Sequence, residues 1–169
     1  MTRLPNKNHS FVFASDGFTL IELIIVIALI AILSGIGTFQ FTQYSRKSAI
    51  EKQTKTLYGD LMELRSKSIF EKKSRGLRLT ATGYSIYSSA TMTVNPVETK
   101  TLTVPITWNN SADIILNNRG FVQATLSSVC TTNANSANVD SLVVSESRIR
   151  MGKLKEGTTC GNTANIDAR

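Results

Sequence analysis

The stretch Asp16-Gly17-Phe18-Thr19-Leu20-Ile21-Glu22 decides the organisation of this chain, because it places one carboxylate at the start of a long uncharged segment. No charged residue follows Glu22 until Arg46. A carboxylate inside an apolar segment costs about 2.5 to 3.5 kcal/mol on membrane-insertion scales unless it reaches water or a partner. Glu22 therefore indicates a function beyond simple anchoring.

The apolar segment has the length of a membrane-spanning helix. Residues 23–41 are mostly Leu, Ile, Val, Ala, Phe and small side chains. As a helix they extend about 28 Å, close to the roughly 30 Å hydrocarbon core of a bilayer. We expect this segment to cross a membrane.

A short head with Arg3, Lys7 and His9 precedes the apolar segment and has the composition of a targeting region. An ordinary secretory signal peptide is cut after its apolar segment, whereas the cut suggested here lies before it. Glycine suits the position before a cleaved bond, because its missing side chain lets the backbone lie close in a peptidase cleft. Cleavage after Gly17 would make Phe18 the new amino terminus.

Residues Gly17 to Glu22 resemble the prepilin signal of type IV pilins and type II secretion pseudopilins, and the likeness extends to about Phe39. In these families a prepilin peptidase cuts after the glycine and methylates the new terminal amine. The resemblance implies processing at Gly17 and Phe18, and a single-pass precursor in the bacterial inner membrane with a periplasmic carboxyl-terminal domain. It also implies later packing with other pilins through the N-terminal helix, in a pilus or pseudopilus at the cell surface, where Glu22 pairs with the terminal amine of a neighbouring subunit.

The carboxyl-terminal half resembles the GspH/FimT type of minor pilin. The likeness rests on Asn118-Arg119-Gly120, on Cys130, and on Val143-Val144-Ser145 leading into Ser147-Arg148-Ile149-Arg150. FimT-like minor pilins of DNA-uptake pili carry a Gly-Arg-x-Arg motif near the carboxyl end. This chain matches both arginines of that motif but has Ser147 in place of the glycine, and this difference is expected to alter the turn that presents them.

Hydrophobic periodicity predicts an α+β fold with one long N-terminal helix from about Phe18 to Lys73. From Arg46 onward the pattern becomes amphipathic, with Ile50, Leu57, Leu61 and Leu64 at helical spacing. The apolar stripe is expected to pack on a sheet. Lys72, Lys73 and Arg75 followed by Gly76 predict the helix end, with Gly76 in a left-handed conformation.

After Gly76 the hydrophobic period changes to two, which predicts a small antiparallel β-sandwich or sheet packed against the helix. A hairpin is expected over residues 77–86 with a turn at Thr82-Gly83, then strands over 102–108, 114–116 and 121–126. The polar residues 127–140 are interpreted as a surface loop, and one last element covers residues 141–154. The predicted organisation is leader 1–17, transmembrane segment 18–45, amphipathic helix 46–75 and head domain 76–169.

Net charge and cysteine content narrow the functional classes. The formal charge is +7, and the leader supplies only one unit of it, so the mature chain stays basic. Most of the excess lies in residues 46–75, where a solvated helix face accounts for it equally well. Cys130 and Cys160 favour a disulfide in an exported domain, and two cysteines without a histidine make a poor metal site.

Catalysis is not predicted. The single histidine, His9, lies in the leader, so no Ser-His-Asp or Cys-His arrangement can form in the mature chain. A phosphate-binding Gly-x-x-x-x-Gly-Lys loop is absent from the sequence, and the spacing of the acids supports no paired-carboxylate site. We therefore expect neither an enzyme nor a cofactor.

A basic run near the carboxyl end is the candidate DNA-binding site. Strand alternation is expected to place Arg148 and Arg150 on one face, about 7 Å apart, with Lys153 and Lys155 in the same exposed run. Four such cations can neutralise several phosphates of double-stranded DNA without reading its sequence. Alternatively, they are strand-edge cations that discourage edge-to-edge aggregation.

The sequence therefore predicts a FimT-like minor pilin of a type IV pilus that contributes to fibre assembly or priming and to DNA binding during natural transformation. The alternative is a GspH-like minor pseudopilin of a type II secretion system, which acts in protein export. A plain anchored binding domain is disfavoured, because it needs neither a leader cut at Gly17 nor Glu22.

Overall fold

The computed structural model describes residues 17–123, 127–132 and 135–168, with side chains described throughout except at residues 36–39 and 127. The predicted leader, apart from Gly17, lies outside these residues. The chain divides into two compact units, Met1–Phe41 and Thr42–Arg169.

The only α-helix in the described residues, α1, covers Leu20–Glu71. The predicted bounds are each within two residues of this. Thr19 stands just before the helix, and its Oγ1 accepts a hydrogen bond of 3.3 Å from the Glu22 backbone N–H. Thr19 and Glu22 thus have the spacing of a capping box, in which a hydroxyl satisfies a free N–H of the first turn. At the other end, Lys72 takes the left-handed conformation with φ 57°.

In the second unit, the predicted apolar stripe of α1 is confirmed. Ile50, Leu57, Leu61 and Leu64 are all at most 3% exposed. Gly76, however, does not form the helix end as predicted. It lies in the first strand, where a Cβ would come within 2.2 Å of Met92 Cε, so close packing explains the glycine.

Strands follow α1 in nine segments within the described residues. They are β1 (Arg75–Thr80), β2 (Gly83–Tyr87), β3 (Glu98–Thr101), β4 (Ile106–Trp108), β5 (Asp113–Leu116), β6 (Ser127–Thr131), β7 (Ser141–Val144), β8 (Ile149–Leu154) and β9 (Ile166–Ala168). One sheet has the order β3-β2-β1-β5 and the other β4-β6-β7-β8-β9, and all pairs are antiparallel. A short 3₁₀-helix, Thr163–Asn165, precedes β9.

Both sheets and the second half of α1 contribute to one buried hydrophobic cluster, which confirms the predicted fold class. Its buried members are Leu57, Leu61 and Leu64 from α1; Leu77, Leu79, Tyr84, Ile114 and Leu116 from the first sheet; Ile106, Val129, Leu142, Val144 and Ile149 from the second; and Val122. All of them lie within the Thr42–Arg169 unit. This unit therefore contains the whole of that core.

Several strand predictions differ from the structure. Of the strand predicted over residues 102–108, only β4 forms. Of the strand predicted over residues 121–126, the described residues contain one bridge, between Leu116 and Val122, and residues 124–126 lie outside the described residues.

Residues 127–140, interpreted as a surface loop, begin with β6, where Val129 is 2% exposed and Cys130 1%. The segment 141–154, predicted as one element, is the β7–β8 hairpin, which pairs Val144 with Ile149. Its turn is closed by hydrogen bonds of 2.8 Å from Ser145 N–H and 2.6 Å from its Oγ to the Arg148 carbonyl oxygen.

Candidate functional site

The N-terminal site consists of Gly17, Phe18 and Glu22. Phe18 is 84% exposed, and Glu22 is also exposed on the first turn of α1. The other described apolar side chains of the first unit are also exposed, including all of those from Leu20 to Leu33. Within the described residues, α1 is the only helix that is long and apolar enough to cross a membrane. An exposed apolar helix of this kind needs a lipid or protein partner.

The predicted arginine pair lies at the β7–β8 hairpin, but not in the predicted form. Arg148 belongs to the turn, whereas Arg150 lies in β8 opposite Val143. Both side chains are exposed, while the intervening Ile149 is buried at 5% exposure. The expected alternation of exposed arginine and buried isoleucine is therefore present, although the strand begins one residue later.

The two lysines of the predicted basic run do not join the arginines. Side chains along a strand alternate between faces, so Arg150 and Lys153 point to opposite faces of the sheet. Lys155 Nζ donates a 3.0 Å hydrogen bond to the Ala164 carbonyl oxygen and lies 3.6 Å from an Asp167 carboxylate oxygen. About seven residues of strand, or roughly 23 Å, separate Lys155 from Arg148. The four cations therefore do not form one patch.

A second turn lies beside the hairpin. Asn117 Oδ1 accepts hydrogen bonds from the backbone N–H groups of Arg119 (2.9 Å) and Phe121 (3.0 Å). Gly120 adopts φ 78°, a left-handed conformation that suits glycine. The Val122 N–H donates a 2.8 Å hydrogen bond to the Glu146 carbonyl oxygen, which joins this turn to the hairpin turn. The turn itself is predicted by the sequence, but its contact with the hairpin is not.

Comparison with known proteins bears on the N-terminal segment and on the fold. Residues 13–38 match the family described as the prokaryotic N-terminal methylation motif. The structure is similar to that of the type IV minor pilin FimU of Pseudomonas aeruginosa, with a TM-score of 0.53 and 13% identity, over 65% of this chain and 92% of FimU. The chain has a pilin-like fold. A second crystal form of FimU gives a TM-score of 0.47 at 16% identity, over 63% and 91% of the two chains. Among curated proteins, none matches the sequence.

The pilin-like head carries the disulfide that its cysteines suggested. Cys130 in β6 is bonded to Cys160, which lies 30 residues further along the chain. Cys130, Val143 and Ile166 form a separate buried cluster, with Leu154 and Cys160 packed against it. The bond therefore holds the carboxyl-terminal tail against the second sheet.

A polar network between α1 and the first sheet was not found from the sequence. Tyr84 donates its hydroxyl hydrogen bond to Asp60 Oδ2, and Lys100 Nζ donates to both Asp60 oxygens, at 3.0 and 2.8 Å. Burial, followed by the bond to Asp60, raises the pKa of the Tyr84 phenol well above its usual value. The bond to Asp60 also raises the pKa of Lys100. The three residues lie far apart in the sequence and carry no shared motif, so no sequence signal identifies them.

The described residues of this pilin-like protein contain no group of three or more His, Cys, Asp or Glu side chains arranged to hold a metal ion. A groove of about 540 Å³ in the head domain is lined by residues that include Asp140, Lys153 and Lys155.

Proposed function

We propose that this chain is a minor pilin of a type IV pilus, cleaved after Gly17 and N-methylated at Phe18. The observation that supports this most is the methylation motif over residues 13–38, which includes Glu22 and the exposed apolar start of α1. The head domain shares its fold with a minor pilin. In this proposal the protein is a structural subunit, which primes or caps a fibre and catalyses no reaction.

Glu22 has a specific task in this mechanism. When α1 leaves the bilayer and packs among the helices of other subunits, the Glu22 carboxylate has to enter an apolar fibre core. An unpaired ion in such a place is unfavourable, whereas a carboxylate paired with an ammonium group is far less so. We infer that Glu22 pairs with the terminal amine of Phe18 of a neighbouring subunit, which favours ordered entry into the fibre.

Replacing Glu22 tests this assembly role. We expect Glu22→Ala to leave the membrane-bound precursor intact and to reduce strongly the amount of this subunit in sheared fibres. Ser34→Ala, a polar-to-apolar change in the same apolar segment without loss of charge, is the matched control and should incorporate normally. Immunoblots of membrane and fibre fractions measure both. Unchanged incorporation of Glu22→Ala would contradict the role given to this residue.

A second proposed activity is contact with double-stranded DNA through Arg148 and Arg150, as in a FimT-like subunit of a DNA-uptake pilus. It is favoured by the exposure of both arginines, which have no carboxylate within ion-pair distance in the part of the chain that the structure describes. Arginine binds phosphate through its planar fork of N–H donors. A secretion pseudopilin shares the leader, Glu22 and the fold, but it has no need for DNA contact.

A salt titration of DNA binding separates these two functions. The DNA-uptake function predicts affinity that falls steeply as salt rises, and loss of binding in Arg148→Ala/Arg150→Ala. Absence of binding by the unmodified protein would favour a purely structural subunit or a secretion pseudopilin.

A further inference from the structure

We propose that the DNA-contact surface runs across the end of the head domain, from the hairpin turn at Arg148 to Arg119 and Arg65, and does not follow β8 toward Lys153 and Lys155. This inference rests on the proposed DNA-binding function and specifies which residues carry it. We call these three arginines, together with Arg150, the arginine end.

The backbone places the two turns of the arginine end together. The turn over residues 117–121 follows β5, and the hairpin turn joins β7 to β8. The 2.8 Å hydrogen bond from Val122 N–H to the Glu146 carbonyl oxygen joins them directly. Arg119 and Arg148 are thus exposed on neighbouring turns, although 29 residues separate them in the sequence.

Arg65 reaches the same place from α1. A Cβ at Gly120 would lie 3.1 Å from Arg65 Cγ and 2.6 Å from Ile69 Cδ1, so the helix packs directly on the turn. Arg65 is half-buried, with its aliphatic stem against the turn. A long cationic side chain commonly packs its stem on the protein and keeps its charged head in water. Three different elements therefore bring arginines to one end of the domain.

The charges at this end are available to a ligand. In the described residues, no carboxylate lies within ion-pair distance of Arg65, Arg119 or Arg148. Other cations of the head are engaged, since Lys55, Lys67, Arg75, Arg78, Lys100 and Lys155 each have an acidic partner. The two acids nearest in sequence are Glu63, which pairs with Lys67, and the exposed Glu146.

More positive charge adjoins the arginine end where α1 runs into the first sheet. The chain leaves α1 through the exposed residues Lys72 and Lys73 and enters β1 at Arg75, which pairs with Leu116 immediately before the second turn. Neither lysine has an ion-pair partner among the described residues. These two lysines widen the positive field in which a phosphate backbone would lie.

The local structure also fixes the position of Arg119. Asn117 accepts two backbone N–H groups within the turn, and Gly120 supplies the left-handed residue that closes it. A preformed turn loses less conformational entropy on binding than a flexible loop. The arginine fork then adds charge-assisted hydrogen bonds to phosphate oxygens. The surface is therefore suited to a phosphate backbone.

Two charge-matched double variants test this geometry. Arg65→Gln/Arg119→Gln and Lys153→Gln/Lys155→Gln each remove two positive charges, so they lower the net charge of the protein equally. Glutamine keeps most of the aliphatic stem of Arg65, and thermal unfolding followed by circular dichroism checks that both variants are folded. Arg148→Ala/Arg150→Ala tests the underlying DNA-binding function.

Binding is measured by fluorescence anisotropy of a labelled 20-base-pair duplex with the full chain in non-ionic detergent, at several salt concentrations. We expect Arg65→Gln/Arg119→Gln to lower the slope of log affinity against log salt by about 1.8, and to lower the affinity at 0.1 M salt by roughly 10- to 60-fold. Lys153→Gln/Lys155→Gln should bind within about twofold of the unmodified protein, because its lysines lie outside the arginine end.

The outcomes separate the two levels of inference. If the unmodified protein shows no salt-sensitive binding, or if Arg148→Ala/Arg150→Ala binds normally, the DNA-binding function fails and the arginine end fails with it. If Arg148→Ala/Arg150→Ala loses binding but Arg65→Gln/Arg119→Gln does not, only the arginine end is overturned. Equal losses in the two charge-matched variants would also overturn it, because net charge alone would then explain binding.

Discussion

At the scale of single residues, Tyr84 shows how the head domain accommodates a polar group in its core. Its side chain is 1% exposed, and its hydroxyl donates to Asp60, which also accepts from Lys100. A hydrogen bond to a charged partner contributes about 1.5 to 3 kcal/mol, so this bond is a significant part of the stability of a small domain.

We expect Tyr84→Phe to lower the free energy of unfolding by about 1.5 to 3 kcal/mol, because Asp60 loses one donor but keeps Lys100. The control is Tyr87→Phe, which retains the ring 5.9 Å from the Arg78 guanidinium and should change stability little. Urea denaturation of the head domain, residues 42–169, measures both. Equal stability of the two variants would show that the hydroxyl bond contributes nothing.

The same residue predicts a response to alkaline pH. Burial and the bond to Asp60 raise the pKa of Tyr84 in the folded state above the value near 10 of an unfolded tyrosine. The stabilisation is therefore complete below about pH 10 and is lost as the pH rises above that value. We expect unfolding free energy measured from pH 8 to 11 to fall at the alkaline end, and to fall less steeply in Tyr84→Phe. Parallel curves for the two proteins would exclude Tyr84 as the source.

Gly120 is the residue on which the contact between α1 and the second turn depends. Alanine there would need a left-handed backbone and would displace Ile69, so we expect Gly120→Ala to destabilise the domain by roughly 1 to 3 kcal/mol. Gly157 has φ 73° but open space around it, so Gly157→Ala carries the backbone strain without the steric contact. The difference between their urea midpoints isolates that contact. No difference would mean that Ile69 moves aside freely.

At the scale of secondary-structure elements, sequence periodicity predicted the elements whose formation depends on neighbouring residues alone. The apolar stripe of α1 and the β1–β2 hairpin follow from periodicity, and the structure has both. β6 was missed because its residues 127–131 are Ser, Val, Cys and Thr, a composition typical of loops. Its burial comes from tertiary structure. Val129 faces the main core, the tail covers Cys130, and Asn109 Oδ1 accepts from both the N–H and the hydroxyl of Ser128.

The candidate functional sites also differ in whether their residues can be recognised from local sequence. Gly17, Phe18 and Glu22 are recognisable because their signal lies within six adjacent residues. Arg148 and Arg150 also come from a local motif. The separation of Lys153 and Lys155 from them depends on strand alternation and on Asp167, and the closeness of Arg119 depends on a contact between distant turns. Sequence spacing alone contains neither fact.

The tail of the second sheet depends on one covalent bond. We expect reduction of Cys130–Cys160 to lower the free energy of unfolding by about 3 to 4 kcal/mol, on a chain-entropy estimate for a loop of 30 residues. It should also release β9 from β8, so that trypsin cleaves after Lys155 more rapidly. Urea titration and limited proteolysis with and without reductant measure these effects, with Cys160→Ser as a genetic equivalent. Equal protease resistance in both conditions would contradict this role of the disulfide.

At the scale of the whole molecule, the two units have different physical requirements. The head contains the complete buried cluster, whereas the described apolar side chains that follow Glu22 in the first unit are exposed. Only a lipid or protein environment can cover that surface. In the proposed function the chain has both environments in turn, as it moves from bilayer to fibre, and removal of the leader creates the amine that neutralises Glu22.

Processing at Gly17 can therefore be tested independently of assembly. A Cβ at Gly17 meets nothing within 4 Å, so Gly17→Val should not disturb the chain itself, and any effect must arise in the peptidase cleft. We expect mass spectrometry to find mature protein that begins with methylated Phe18, and to find only precursor in Gly17→Val. Gly35→Ala, a glycine replacement in the apolar helix that also meets no neighbour, should be processed normally. Cleavage of Gly17→Val at the same bond would contradict the requirement for glycine, and a mature terminus other than Phe18 would remove the amine on which the proposed pairing with Glu22 depends.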